Sequence, residues 1–239
     1  MFNGATTKTS ALFYMYKNGA SIMVIIGVQN TKGGATKSTT SVNLARAYQR
    51  AGLKVALGET DSQGTLREWF HDNEGKNDDL PAVLQLGDRE AIINVRDNAA
   101  LAGTDLLIID GVANGFREFL AVSNVADFII IVAQPSSADL KPIEELVDIL
   151  EGRSAKAAFL LTRTRKGDDS ADEARRALVE AYRYPVLNGT IRDLKGFRTT
   201  FGAGQTVFEY SDYKRGQDDV VAVAEEIWNE CLAEEVEND

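Results

Sequence analysis

The sequence holds few of the residues that build disulfides and metal clusters. Its 239 residues include one cysteine, Cys231, and one histidine, His71. A single cysteine allows no intrachain disulfide, which is typical of proteins from a reducing compartment. It also excludes an iron–sulfur cluster, because such clusters need several thiolates. We expect the lone His71 to be a solvated loop residue.

The sequence also lacks the apolar run of a secretory signal, since the stretch Ala11–Tyr16 is too short. The last fifteen residues hold seven acids and no base, which argues against the basic amphipathic anchor that binds anionic lipid. We therefore expect a cytoplasmic protein that does not bind membranes. Residues 1–22 are expected to form a flexible N-terminal extension, and residues 23–239 a single domain.

Apolar content and its spacing predict the fold class. The chain is 44% apolar, which is enough to bury a full core. Strand-like and helix-like patterns alternate, which predicts an α/β fold with a mostly parallel twisted sheet and helices on both faces. The predicted strands are 23–29, 55–59, 105–110, 128–132 and 157–162, and the predicted helices are 39–51, 89–102, 116–126, 139–150 and 171–182.

Residues 30–40 carry the most informative motif. They read Asn-Thr-Lys-Gly-Gly-Ala-Thr-Lys-Ser-Thr-Thr and lie between a predicted strand and a predicted helix. Glycines let backbone N–H groups turn toward phosphate oxygens, and the helix N-terminus adds positive charge. Lys37 would reach the β- and γ-phosphates and Ser38 would be a Mg²⁺ ligand. The alternative is a plain glycine turn between strand and helix.

The pattern Lys-Gly-Gly-x-x-Lys-[Ser/Thr]-Thr resembles the deviant Walker A box of the ParA/MinD family of P-loop ATPases. The resemblance implies that Lys32 crosses a dimer interface to the partner's nucleotide, while Lys37 is the ordinary phosphate lysine. Thr36 replaces the usual glycine, which bears on the rate of hydrolysis more than on binding. The nucleotide-binding residues so implied are Lys32, Gly33, Gly34, Ala35, Thr36, Lys37, Ser38, Thr39 and, near the adenine, Arg163.

Two further boxes follow at predicted strand ends. Residues 59–65 resemble the family's Asp-x-Asp-Pro-Gln-Gly segment, which makes Asp61 the residue that orients the attacking water. Glu59 stands in place of the first aspartate, with an implied role beside the metal. Asp110 ends the buried run that begins at Asp105 and has the Walker B form, so we expect it to hold Mg²⁺. Alone, Asp61 would more simply cap a turn.

Basic charge is concentrated late in the chain. Residues 153–216 hold thirteen Lys/Arg and eight acids, although the whole chain has a net charge of −10. Such a segment can neutralise DNA phosphates without reading sequence, and the family binds DNA through its C-terminal part. A solvated mixed-charge surface is the alternative. The candidate DNA-binding residues are Arg165, Lys166, Arg192, Lys195, Arg198, Lys214 and Arg215.

The segment 201–210 resembles the Gly-x-x-Val-x-[Asp/Glu]-Tyr stretch of small plasmid-partition ParA proteins. The resemblance implies a nucleoid-associated partition ATPase that uses ATP and Mg²⁺. Its ATP-bound homodimer would bind non-specific DNA and be released by slow hydrolysis that a ParB-like adaptor stimulates. Two alternatives remain. One is the same machine positioning a protein organelle or a transfer complex, and the other is an ATP-dependent synthetase of the dethiobiotin type.

Overall fold

The structure, a computed structural model, describes residues 23–34, 36–73, 76, 79–98, 101–135, 141–153 and 156–232. The predicted extension 1–22 and residues 233–239 of the acidic C-terminal run therefore lie outside the described residues. The same holds for Ala35 of the glycine motif and for the first two positions of the helix predicted over 139–150.

The centre of the fold is a seven-stranded sheet with the order β3-β2-β4-β1-β5-β6-β7. All of its strand pairs are parallel. The predicted fold class is thereby confirmed. The strands are β1 Val24–Gln29, β2 Val55–Glu59, β3 Ala82–Gln85, β4 Leu106–Asp110, β5 Phe128–Ala133, β6 Lys156–Thr164 and β7 Ile191–Arg192.

Helices cover both faces of this sheet, because successive strand residues point to opposite sides. On β1, Ile26 joins one apolar cluster and Ile25 joins the other. Helices α1, α2, α7 and α8 pack on the first face, and α3 to α6 on the second. Their bounds are α1 Lys37–Arg50, α2 Thr65–Asp72, α3 Arg89–Ile93, α4 Phe116–Val125, α5 Lys141–Glu151, α6 Ser170–Ala181, α7 Lys195–Phe201 and α8 Lys214–Glu226.

The sequence-based assignment was wrong in several places. Helices α2, α7 and α8 were not predicted. The helix predicted over 89–102 ends at Ile93, and a short 3₁₀ turn, Val95–Asp97, follows Asn94, a residue type that disfavours helix interiors. Strands β3 and β7 were not predicted, because one is a half-exposed edge strand and the other has two residues. His71 is exposed but lies in helix α2, not in a loop.

The C-terminal part folds back over the first face of the sheet. Helix α8 buries Val220 and Val223 in the same cluster as residues of α1. A π-helical turn, Ile227–Leu232, continues from it. Within the described ranges, no helix combines the length and apolar character that crossing a membrane requires.

The turn after α7 fits tightly against the end of α2. Gly204 has a φ of 70°, and a Cβ atom there would lie 2.3 Å from the backbone N of Asn73 and 2.7 Å from the carbonyl O of Trp69. The Trp69 indole N–H donates to the carbonyl O of Gln205 at 3.2 Å. This position of the 201–210 segment therefore needs glycine for both its dihedral and its lack of a side chain.

Replacement of Gly204 by alanine should destabilise the protein far more than replacement of Gly167. Both glycines have positive φ, which costs a non-glycine residue roughly 1–2 kcal/mol. A Cβ on Gly167 meets nothing within 4 Å, whereas at Gly204 a backbone clash adds about 1–3 kcal/mol. Urea unfolding of both variants measures the difference. Equal decreases in the free energy of unfolding would show that Gly204 does not pack tightly against the end of α2.

Candidate nucleotide-binding site

The phosphate loop, residues 30–36, joins β1 to α1 at the carboxyl edge of the sheet. Its turn uses a glycine with positive φ, Gly34 at 72°. The Asn30 side-chain oxygen accepts the backbone N–H of Lys32 at 2.7 Å, and the Gln134 amide donates to the Gly34 carbonyl at 3.1 Å. These two bonds hold the backbone of Lys32 and Gly34 in place. Its described exposed residues are Lys32, Gly33 and Gly34.

Thr36 stands where the standard motif has glycine, and the backbone there explains that preference. Its φ is 65° and ψ is 15°, a left-handed conformation that is a genuine outlier for a β-branched residue. The Thr36 hydroxyl donates to the Thr162 hydroxyl on β6 at 2.9 Å. This bond partly offsets the strain, since a neutral hydrogen bond contributes about 1 kcal/mol.

Lys37 is the first residue of α1 and is buried, with 7% of its surface exposed. Its Nζ donates to the carbonyl O of Lys32 at 3.2 Å. Burial lowers the pKa of Lys37, while the nearby carboxylates of Asp110 and Asp61 raise it. A buried ammonium that already lies among carboxylates at a helix N-terminus is suited to binding phosphate oxygens.

Asp110 ends β4 and is the most perturbed acid of the site. The Ser38 hydroxyl donates to one of its oxygens at 2.6 Å and the Ser41 hydroxyl to the other at 3.0 Å. Burial raises the pKa of Asp110 to about 6, against the hydrogen bonds from Ser38 and Ser41 and the charge of Lys37. A buried carboxylate beside a serine hydroxyl is a fitting pair of oxygen ligands for Mg²⁺.

A magnesium ion at this place would share its remaining ligands with phosphate and water. Mg²⁺ usually takes one or two carboxylates plus substrate phosphates rather than an all-protein cage. Within the described residues, no group of three or more His, Cys, Asp or Glu side chains could hold a metal. Ser38 and Asp110 therefore fit the ion as a pair.

The turn after β2 carries Asp61 to the same edge. Asp61 is half-buried, and its side chain accepts the backbone N–H of Gln63 at 2.8 Å. Glu59 is fully buried and pairs with Asp110 in the strand register. The Glu59 carboxylate oxygens accept the backbone N–H of Leu66 at 2.6 Å and Arg67 Nε at 3.2 Å, so the metal-side role of Glu59 stays a prediction.

A solvent-open pocket of about 440 Å³ lies beside the phosphate loop. Thr39, the half-buried residue after Ser38, forms part of its wall. Arg163 lies there too, with a φ of 54° at an irregular point of β6. Strained backbone of this kind collects at ligand sites. The pocket continues to residues after β7, among them Asp193 and Arg198.

The seven candidate DNA-binding residues lie in two situations. Four of them form ion pairs: Arg192 with Asp219 at 2.6 Å, Arg165 and Arg198 with Asp193 at 3.1 and 2.8 Å, and Lys214 with Asp218. Among the described residues no ion pair engages the other three, which are exposed: Lys166, Lys195 and Arg215. Local acids therefore pair with four of the seven candidate residues.

Sequence reasoning did not single out Ser41 or Thr60. Ser41 lies three residues after Ser38, hence on the same helix face, and that spacing was a usable signal. Thr60 donates its hydroxyl to the carbonyl O of Asp110 at 2.8 Å and accepts the N–H of Val112 at 3.1 Å. Nothing in the sequence predicts this bond, because it depends on the pairing of β2 with β4.

Comparisons with known proteins agree with this geometry. The model of the CobQ/CobB/MinD/ParA nucleotide binding domain family matches residues 26–207. The chain is 25% identical over 213 residues to the maintenance of carboxysome distribution protein A of Halothiobacillus neapolitanus, covering 87% of this chain and 95% of that protein.

Two solved structures share the fold. The septum site-determining protein MinD of Pyrococcus horikoshii, complexed with Mg-ADP, superposes with a TM-score of 0.66 at 19% identity, covering 86% of this chain and 96% of that one. A plasmid partition protein of Borrelia burgdorferi bound to AMPPNP gives a TM-score of 0.63 at 16% identity, covering 84% and 98%.

Asp110→Asn should change stability in a pH-dependent way. The folded-state pKa of about 6 lies above the ordinary 3.8, so between these values the folded protein binds a proton that the unfolded chain releases. The wild-type protein therefore loses stability as pH rises from 3.8 through about 6, by about 3 kcal/mol in all and by roughly half of that above pH 5. In the absence of Mg²⁺ and nucleotide, the free energy of unfolding of the asparagine variant should therefore rise relative to that of the wild-type protein as pH rises from 5 to 8.

Urea unfolding across that pH range, with the exposed Asp212→Asn as the control, measures the effect. Added Mg²⁺ and nucleotide should then stabilise the wild-type protein but not Asp110→Asn. A pH-independent difference between the two proteins would contradict the raised pKa.

Proposed function

Because the chain belongs to the CobQ/CobB/MinD/ParA nucleotide-binding family, in keeping with the ParA/MinD resemblance of its motifs, we propose that it is an ATP-hydrolysing partition switch. ATP closes two copies into a homodimer, the dimer binds DNA without sequence preference, and hydrolysis releases it. One observation carries the proposal. The phosphate lysine, the serine–aspartate pair and the hydrolysis carboxylate meet at one edge of the sheet: Lys37, Ser38, Asp110 and Asp61.

Each part of this site has a separate task. The backbone N–H groups of residues 33–38 and the α1 N-terminus bind the phosphates, and Lys37 neutralises the charge of the β- and γ-phosphates. Ser38 and Asp110 hold Mg²⁺, which supplies positive charge to the phosphate oxygens. Asp61 orients the attacking water. Hydrolysis is slow until a ParB-like adaptor stimulates it.

Lys32 has a different task, because it is exposed on the phosphate loop. An exposed lysine at the carboxyl edge of the sheet can neutralise the γ-phosphate bound by the second subunit of a dimer. Lys32 therefore contributes in trans, and the site is complete only in the dimer. The pocket around Thr36, Thr39 and Arg163 holds the nucleoside part of ATP.

DNA binds to the C-terminal basic surface of the dimer. Lys166, Lys195 and Arg215 carry most of the affinity, since their charges are exposed and lack an acidic partner among the described residues. Arg165, Arg198 and Lys214 are also exposed and contribute after exchanging their acids for phosphates. The charge of Arg192 stays with Asp219, to which its guanidinium donates at 2.6 and 2.9 Å, so we give Arg192 a structural role first.

The cargo is the open part of the proposal. A plasmid-like DNA is favoured by the C-terminal segment 201–210 and by the fold shared with a plasmid partition protein. A protein organelle is the second candidate, because a relative at 25% identity is a carboxysome distribution protein. Either cargo places the protein in the cytoplasm on the nucleoid. A synthetase of the dethiobiotin type would instead leave the basic surface without a use.

Two substitutions separate binding from hydrolysis. Lys37→Ala should abolish stable ATP binding, because it removes the ammonium that is buried against the phosphate loop. Asp61→Ala should retain ATP binding but hydrolyse it at least about 100-fold more slowly, and it should accumulate as a dimer. Nucleotide affinity, phosphate release and light scattering measure these effects. Unchanged ATP affinity in the first variant, or wild-type turnover in the second, would contradict the assignments.

The double variant Lys195→Gln, Arg215→Gln should weaken ATP-dependent binding to a random-sequence duplex. Each lost phosphate contact lowers the slope of log affinity against log salt by about 0.9. Arg176→Gln, an exposed arginine on α6 outside the candidate surface, is the matched control. Fluorescence polarisation over a salt series with ATP, ADP or no nucleotide measures the change. Binding that is independent of ATP would refute the switch.

A further inference from the structure

The turn that carries Asp61 spans residues 60–64, between β2 and α2. It is held at its start by Thr60, whose hydroxyl binds the Asp110 carbonyl O at 2.8 Å and the Val112 N–H at 3.1 Å. Asp61 follows at once, and its carbonyl O accepts the N–H of Gly64 at 3.2 Å. The start of the turn is therefore fixed to β4, and so to the edge of the sheet that carries Asp110.

The end of the turn is held by Glu59. One carboxylate oxygen accepts the N–H of Leu66, in the first turn of α2, at 2.6 Å, and the other accepts Arg67 Nε at 3.2 Å. Glu59 has no exposed surface. A fully buried carboxylate is costly unless hydrogen bonds and an opposite charge compensate it. The two donors and the α2 N-terminus supply that compensation.

Arg67 closes the arrangement from outside. Its Nη2 donates to the carbonyl O of Ser62 at 3.4 Å, and a Cβ atom on Gly64 would lie 2.7 Å from that nitrogen. The guanidinium thus lies across the turn while its Nε holds Glu59. Glu59 and Arg67 together clamp the turn that carries Asp61, and the hydrogen bonds of their side chains go to Leu66, to Ser62 and to each other.

We propose that Glu59 and Arg67 are positioning residues for hydrolysis, which hold the Asp61 turn at a fixed place opposite Lys37, and that the Glu59 carboxylate is not a metal ligand. Both Glu59 carboxylate oxygens accept hydrogen bonds from residues of α2, whereas Ser38 and Asp110 are the proposed Mg²⁺ ligands. The inference rests on the proposed ATP hydrolysis.

The clamp and the metal-side role of Glu59 predict different kinetics. Loss of a positioning residue lowers kcat, because a small displacement of a catalytic group costs much of the rate, while the affinities for ATP and Mg²⁺ stay the same. Loss of a metal ligand raises the Mg²⁺ concentration needed for half-maximal activity. Arg67 offers the sharper test, since a cation beside the turn cannot ligate Mg²⁺ and its side chain is 55% exposed.

The experiment compares steady-state ATP hydrolysis by the full-length wild-type protein and by Glu59→Gln, Arg67→Met, the double variant and Arg67→Lys, at varied ATP and Mg²⁺. Glu59→Gln and Arg67→Met should each lower kcat at least about tenfold with KM and the Mg²⁺ half-point within about twofold. The double variant should be no slower than the slower single variant, because both act on one turn. Arg67→Lys should recover part of the rate. Glu68→Gln, its exposed neighbour on α2, is the control and should match the wild-type protein.

Four outcomes would overturn all or part of the proposal. If Glu59→Gln alone needs more Mg²⁺ for half-maximal activity, Glu59 is a metal ligand. If Arg67→Met has the kcat of the wild-type protein, Arg67 does not hold the turn. ATP binding without hydrolysis by the wild-type protein would overturn the proposed function and the clamp with it. If the wild-type protein hydrolyses ATP and the variants have the same kcat, the proposed function stands and only the positioning role of Glu59 and Arg67 is wrong. If Glu59→Gln fails to fold by circular dichroism, Arg67→Met decides.

Discussion

The contact on which the site depends is the pair of hydrogen bonds from Ser38 and Ser41 to the buried Asp110. It fixes the first turn of α1 against the end of β4, and Lys37 is carried to the sheet edge with that turn. The backbone carbonyl of Asp110 in turn holds Thr60. A buried carboxylate is unfavourable by itself. Its raised pKa therefore marks a place where fold stability is given up, as is common at functional sites.

Helix α1 is also tied to the C-terminal segment, which gives the 201–210 motif a structural meaning. The Asn43 side chain accepts the N–H of Val207 at 3.1 Å, and Arg46 forms a buried ion pair with Glu209 at 2.9 Å. The Trp69 indole joins α2 to the same segment. One short turn thus contacts the helix that begins with the phosphate lysine and the helix that follows the Asp61 turn.

Electrostatics divides the basic segment in a way that charge counting does not reveal. Asp193 forms ion pairs with two arginines, and Asp219 forms one with Arg192. These ion pairs stabilise the segments that line the pocket beside the phosphate loop. Breaking such pairs costs a DNA-binding surface part of its affinity. Exposed cations without an acid partner give their full counterion-release contribution. The proposed DNA-binding surface therefore carries less unpaired positive charge than the count of thirteen bases in the segment implies.

The sequence by itself determined the alternation of buried strands and helices, the parallel sheet, and the carboxyl-edge location of Lys37, Asp61 and Asp110. These follow from local periodicity and from glycine and lysine spacing, which need no knowledge of distant contacts. Only the tertiary structure decided that the carboxylate of Glu59 serves α2, that Thr36 is bonded to Thr162, and that acids neutralise much of the basic segment. Each of these depends on partners far apart in the chain or on side-chain direction, and a linear pattern carries no information on either.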